Sequence, residues 1–405
     1  MKRCVASKCL LVARCLLLSL GLHAQAAPSV TLNVTPGNLD ALLGTNKDIV
    51  KNLNLHGDIN GDDIATIRNM EKLSVLDMEN VNIIGGKEFP VTIENQNYNV
   101  GTIDNQIPIY MFHSLRNITS ITIPNSITSI GRQAFENCTS LKEFIVLEGN
   151  TTYCSVEGIL LSKDKSRLIA YPNAKSQFCV IPDFITSIEE WAFAGCTGLK
   201  SVIIGNKATP VIPVCGGSVF DWCSELKEII VSKENPGFID IDGVLFNKDK
   251  TELVAYPNAK STTYTIPDNV LSIGRTAFYY CTKLTSVIIP NSVTSIGNKA
   301  FGYTSLTSIT IPESVVSIGK MAFCGCTKLT SITIPGSVAS IKEGAFWDCT
   351  GLKEIHCKNM KPLKKHMFPF DYMDKKTCKL YVPKGSLAAY KKAKVWNEFE
   401  TIIEE

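Results

Sequence analysis

The chain has 405 residues, 20% of them charged, with a formal charge of +3. Its first 26 residues carry four bases and no acid, so the remainder sits near −1, three less four. That balance excludes a general nucleic-acid binder, which needs a basic face. Fifteen cysteines point at first to a disulfide scaffold.

Residues 1–26 read as a secretory signal. Lys2, Arg3, Lys8 and Arg14 charge the start, Cys15 to Leu22 is a short apolar run, and Ala24-Gln25-Ala26 supplies small residues for cleavage. The run is too short to span ~30 Å of hydrocarbon. No later stretch is long and apolar enough to span, and neither Cys9 nor Cys15 sits in a lipobox. The expected product is an exported chain that has lost Cys4, Cys9 and Cys15.

Residues 27–106 keep L-x-L spacing, at Leu53-Leu55 and Leu73-Leu76, without any stronger repeat mark. They read as an N-terminal capping region with degenerate repeats and one helix, Asp62 to Met70. "GDINGDDIATIRN" (Gly57 to Asn69) starts like a calcium loop, with Asp58, Asn60 and Asp62 at alternate places. Asp63 stands where the loop needs Gly and Asn69 where it needs a bidentate carboxylate, so an Asx-rich turn is the expected reading.

Residues 107–356 repeat themselves. Aligned on Phe112, Phe135, Phe193, Phe220, Phe278, Phe301, Phe323 and Phe346, the unit reads L-x-x-I-x-I-P-x-S-V-x-S-I-G-x-x-A-F-x-x-C-T. Several intervals are 23 residues, one is 22, and two are 58, each of these with an extra segment of about 35. A fixed short period marks a solenoid, because one unit cannot bury its own apolar side and stacked units can. Leu329, Ile332, Ile334, Val338, Ile341 and Phe346 are the expected core of one unit. The recurring Cys138, Cys196, Cys223, Cys281, Cys326 and Cys349 read as a buried ladder of free thiols. The unit "FGYTSL" lacks its Cys, and "GNKATPVIPVCGGSVF" (Gly205 to Phe220) is enlarged. The two extra segments lie 85 residues apart, and each places two apolar runs around a Lys-Asp-Lys turn, at 163–165 and 248–250. That is a hairpin pattern. Cys154 and Cys179 bracket the first and map together onto Ile239 and Tyr264 in the second, which makes them a candidate disulfide.

Residues 357–405 read as a basic C-terminal cap with a helix near Leu387 to Lys394. From 357 to 396 there are eleven Lys against two Asp. Cys357 with Cys378 is a second candidate disulfide. His356, Cys357, His366 and Cys378 fit no common zinc spacing.

The pattern resembles the BspA-like family of leucine-rich-repeat surface proteins. "ITIPNSITSIGRQAFENCTSL" (Ile121 to Leu141), "IPDNVLSIGRTAFYYCTKL" (Ile266 to Leu284), the insert "IDGVLFNKDKTELVAYPNAK" (Ile241 to Lys260) and the end "KLYVPKGSLAAYKKAKVWNEFETI" (Lys379 to Ile402) carry the resemblance. The expected fold is a β-rich (α+β) leucine-rich-repeat solenoid of ~23-residue coils with two hairpin inserts and terminal caps. The resemblance implies surface proteins that attach to extracellular-matrix proteins and other cells.

No H-E-x-x-H, G-x-S-x-G, P-loop or G-x-G-x-x-G is present. A binding scaffold without cofactor or metal is therefore expected, its partner an extracellular protein or glycan. The alternative is an envelope-associated glycan-binding or structural protein, and an enzyme with groups hidden across repeats stands behind both. The candidate ligand face is the exposed middle of the L-x-x-I-x-I strand: Thr122, Ile145, Ile203, Ile230, Ile288, Thr310, Thr333 and His356.

Overall fold

A computed structural model describes residues 28–93, 96–210, 219–363 and 369–405. The signal segment, His366 and residues 211–218 of the enlarged unit lie outside these ranges.

The repeat folds as a solenoid of coils with three sides. The L-x-x-I-x-I segments form short parallel strands. Ser201–Ile204 pairs in register with Phe178–Val180 on one side and Glu228–Val231 on the other. Ile332 and Ile334 point inward and are buried, and the Pro that follows ends the strand because it has no N–H to donate. The Ser-Ile pairs form a second parallel column, in which Ser272, Ser295, Ser317 and Ser340 stand in line. Ala-Phe turns make the third side. Phe278, Phe301, Phe323, Phe346 and Phe370 stack face to face at 4.9–5.4 Å, within 9° of parallel. Where both positions are described, left-handed residues flank the Phe two places either side, as at Lys299 (φ 56°) and Tyr303 (φ 55°), and fold the backbone tightly around the ring.

The six repeat cysteines are fully buried. Each thiol donates to the carbonyl of the turn one coil back: Cys138 to Phe112 at 3.0 Å, Cys326 to Phe301 at 3.1 Å and Cys349 to Phe323 at 3.0 Å. The unit without a Cys has Thr304 in its place, bonded to the Phe301 carbonyl at 2.9 Å and to the Cys326 thiol at 3.2 Å.

The two inserts are antiparallel three-strand units: Tyr153–Val156, Ile159–Ser162 and Arg167–Ala170, then Phe238–Ile241, Val244–Asn247 and Glu252–Ala255. The third strand of each rejoins the parallel Ser-Ile column, at Ser187–Ile188 and Ser272–Ile273. Their middle strands alternate in what they face. Leu160 packs with the N-terminal core while Ile159 and Leu161 pack with the central one. Leu245 packs with the central core while Val244 and Phe246 pack with the C-terminal one. Each insert is thus a wall shared by two core segments, which explains its apolar run. Fully buried Asn150 and Asn235 pin the two walls alike. Asn150 donates to the carbonyls of Pro124 and Ile127, and Asn235 to those of Gly205 and Ala208. Tyr171 and Tyr256 take the Phe place, stacking on Phe193 at 5.0 Å and Phe278 at 5.1 Å.

The expected N-terminal helix is Gly61–Arg68, and the calcium-like stretch is its cap. The Asn60 side chain accepts the Asp62 amide, while buried Asp63 accepts the amides of Asn60, Gly37 and Leu39. Asp58 accepts from the Asn82 side chain. Among the described residues, no group of three or more His, Cys, Asp or Glu side chains is arranged to hold a metal. The C-terminal helix is Leu387–Lys392, two residues shorter than expected, and buries Tyr390.

Neither candidate disulfide forms: Cys154, Cys179, Cys357 and Cys378 are free thiols. Cys154 lies in the first insert's sheet and Cys179 in the neighbouring three-strand sheet. Glu354 pairs with Lys379, which sets Cys378 level with Lys353, four residues from Cys357. That offset is ~13 Å along a strand, well beyond the ~7 Å limit between Cα atoms for a disulfide.

Phe301→Ala and Phe346→Ala should each destabilise by roughly 3–5 kcal/mol, because both rings are fully buried between two neighbours. Denaturant titration checks this, and wild-type midpoints in both would remove the stack from the core. Alkali should weaken the fold. Burial lifts Cys326 from the ordinary thiol value of 9.0 to about 11 and Cys138 to about 12. A raised folded pKa gives stability that is complete below pH 9 and is lost as pH climbs through the folded value. The urea midpoint should therefore fall above pH 9. Cys138→Thr with Cys326→Thr, which copies the natural solution at Thr304, should flatten that fall; an unchanged alkaline limb would refute it.

Candidate functional site

The middle residues of the L-x-x-I-x-I column stand in one line because the strands are parallel and in register. Val180, Ile203 and Ile230 are mutually aligned, as are Thr265 with Ile288 and Thr333 with His356. Their exposure is uneven. Ile288 is 61% exposed, Ile203 37% and Ile230 36%. Thr310 is open, and Ile145, Thr333 and His356 are half-buried. Thr122 corrects the expectation: it is only 6% exposed, held in register between Asp77 and the larger Ile145.

Two residues of this face escaped the sequence reading. Phe178 is 64% exposed and Val180 65%, at the exit of the first insert. Alignment on Pro182 would have found Val180, since it precedes that Pro by two residues as Thr333 precedes Pro335. With them the face becomes an aliphatic and aromatic ridge on a three-strand sheet, with exposed Lys227 and Glu228 at its margin.

The inserts bound this ridge rather than cover it. Each docks on the edge of the strand before it. The Phe144 amide donates to the Gly158 carbonyl and the Ile229 amide to the Gly243 carbonyl, both at 2.9 Å. The amides of Val146 and Val231 reach the side chains of Ser155 and Asp240. Lys175 and Lys260 close the hairpin turns on the carbonyls of Glu157 and Asp242.

The C-terminal end of the column is polar. His356 stacks on Tyr381 at 4.5 Å and meets Glu405 at 2.9 Å. The Cys357 thiol lies 3.1 Å from the Tyr390 hydroxyl. The basic run is partly neutralised, with Lys358 paired to Glu405 and Lys375 to Glu398. No described helix is long and apolar enough to cross a membrane.

A BspA type leucine-rich repeat region matches in 6 copies, over residues 65–156, 169–251 and 250–372. Among solved structures, a leucine-rich repeat protein from Eubacterium ventriosum is 22% identical over 81% of this chain and 78% of its own, with a TM-score of 0.49. The pneumococcal vaccine antigen PcpA is 20% identical over 94% and 84%, with a TM-score of 0.47. A leucine-rich cell surface protein from Faecalibacterium prausnitzii is 23% identical over 78% and 86%, with a TM-score of 0.44. No curated protein matches the chain. Period, turn chemistry and family model coincide over most of the chain, and on that ground the protein belongs to the BspA-type leucine-rich-repeat family.

Proposed function

We propose that the chain is an exported, surface-displayed scaffold that holds a large extracellular protein against the ridge centred on Val180, Ile203, Ile230 and Ile288. One observation carries the reading: Val180, Ile203 and Ile230 stand in register on one three-strand sheet at 65%, 37% and 36% exposure, and Ile288, at the corresponding place on a separate two-strand sheet, is 61% exposed. Contiguous exposed apolar surface with a polar rim suits protein contact. The repeat supplies rigidity, so little ordering cost attends binding. The family's scaffold character supports binding rather than catalysis, and adhesion to host matrix is the finer form of the same proposal. In this reading residues 27–106 and 357–405 serve as caps to the binding array.

Ile203→Asp, Ile230→Asp and Ile288→Asp should each change stability by less than ~1 kcal/mol, as surface substitutions do. The triple variant should lose binding to immobilised fibronectin or fibrinogen that the wild type shows. A loss of several kcal/mol in any single variant would make the position core and end the proposal. The export step has its own check. Protein recovered from outside the cytoplasm should begin at Ala27 by N-terminal mass spectrometry; an intact Met1 there would refute cleavage after Ala26.

A further inference from the structure

The Ala-Phe turns make a side of the coil distinct from the strand ridge, and it carries its own constellation. Tyr110, Trp191, Trp222, Tyr279, Tyr280 and Tyr303 all sit within two residues of a stacked Phe. The inserts put Tyr171 and Tyr256 in the Phe place but without the left-handed residues two places either side that make the bulge. The turn after Phe193 therefore packs directly on the turn after Phe135: Gly195 (φ +78°) lies so close that a Cβ there would stand 2.5 Å from the Asn137 nitrogen. Beyond the second insert the Trp222 ring reaches Tyr280 at 3.7 Å, and Tyr280 stacks on Tyr303 at 4.7 Å. The turn edge is thereby shortened against the strand side. Residues as far apart in sequence as Tyr110 and Lys299 line one open groove of about 390 Å³.

We propose that this groove binds an acidic oligosaccharide. Aromatic rings carry negative faces that attract the polarised C–H groups of a pyranose. Trp191, Trp222 and Tyr279 all border the groove, and Tyr279 and Tyr280 meet at 67°, so the wall presents a face beside an edge. Gln133 and buried Asp221 line it too, Gln133 accepting from the Tyr110 hydroxyl and donating to Glu136, each with one further amide hydrogen or lone pair to offer a sugar hydroxyl. Two cations against the single carboxylate of Asp221 favour an acidic ligand. Arg132 lies over Trp191 at 5.4 Å and Lys299 over Tyr279 at 5.1 Å, each poised where a sugar carboxylate would sit beside a stacked ring. The volume falls in the range of small-ligand sites and takes a ligand of disaccharide scale. This site is independent of the ridge, so either can fail alone.

The test uses the full mature chain and a panel of immobilised oligosaccharides bearing sialic acid, bearing uronic acid, or neutral, with intrinsic tryptophan fluorescence as the solution readout. Binding to the acidic members with a change in tryptophan emission is expected. Arg132→Gln should weaken it ~10-fold, the size of one lost charge-assisted hydrogen bond. Trp222→Ala should abolish it while circular dichroism stays native, and Ile203→Asp should leave it unchanged. Equal binding of neutral and acidic members would overturn the charge assignment. Binding that survives both Arg132→Gln and Trp222→Leu, or absence of binding to every member, would overturn the site. Should Trp222→Ala unfold the chain, Trp222→Leu with Arg132→Gln still decides.

Discussion

The amides of the stacked Phe residues have no partner inside their own coil, whereas their carbonyls also accept an amide of their own turn, as Phe112 does from Leu115 and Phe323 from Cys326. The Phe112 amide donates to Ala134, Phe278 to Ala300, Phe301 to Ala322 and Phe323 to Ala345, each one coil ahead. The carbonyls of Phe112, Phe301 and Phe323 accept the thiols of Cys138, Cys326 and Cys349, again from the coil ahead. The amide of such a turn is thus satisfied only if the next coil is in place, and the buried thiol of that next coil only if this turn is. An unpaired buried amide or carbonyl costs about 1–3 kcal/mol, so each coil commits the one after it. Cys suits the position because it is small, apolar and still a donor, and burial keeps it protonated. Thr304 fills the same place with a hydroxyl, which donates to the Phe301 carbonyl of its own turn and meets the Cys326 thiol of the next.

A dependence that runs one way requires different solutions at the two ends. At the C-terminal end Phe346 donates to Pro369, and Phe370 is closed by Trp396 and Phe399 meeting it edge-on. The strands Lys379–Val382 and Thr401–Glu404 continue the sheet past the last repeat. At the N-terminal end the first turn has no thiol beneath it. Arg68, from the helix that Asp63 caps, donates instead to the carbonyls of Tyr110, Met111 and His113. The Asx-rich stretch thus holds the helix whose last-turn Arg closes the array. Its acidic residues have separate partners: Asp63 takes backbone amides, Asp58 the Asn82 side chain and Asp62 the Lys87 ammonium.

How much of this was legible depends on whether a residue's job is set by its own coil or by its neighbours. Period, Pro, Ala-Phe and Cys repeat in sequence because each coil imposes the same local geometry, and the fold followed from them. The Tyr171 and Tyr256 substitutions for Phe were legible in principle, since Ala170-Tyr171 and Ala255-Tyr256 imitate Ala-Phe. They were masked by the Pro and Asn that follow. The paired change of Cys154 and Cys179 to Ile239 and Tyr264 looks in sequence like a bond lost as a unit. The structure gives separate environments: the Cys154 thiol donates to Ser162, while Cys179 sits beside the Tyr171 hydroxyl, where Tyr264 packs on Tyr256 at 4.8 Å in the second copy. Joint variation there reflects two local repackings. The exposed face was half legible, because column position is a matter of period, whereas exposure depends on which neighbours stand taller, as Thr122 shows.

The inserts tie these levels together. An uninterrupted array would give one unbroken core and two straight sides. Each insert instead places a strand buried on both faces between adjacent cores, so it must be apolar throughout and anchored by polar groups at its ends, as Asn150 and Asn235 are. The same wall lengthens the strand side without lengthening the turn side. On the strand side it isolates three strands, and with them Val180, Ile203 and Ile230, between two hairpins. On the turn side it brings together turns that would otherwise stand a coil apart, Asn137 with Gly195 and Trp222 with Tyr280. A regular repeat explains how the molecule stands up. Its two departures from regularity explain why the two most chemically distinctive surfaces, one aliphatic and one aromatic and charged, occur on different sides of the same stretch of coils.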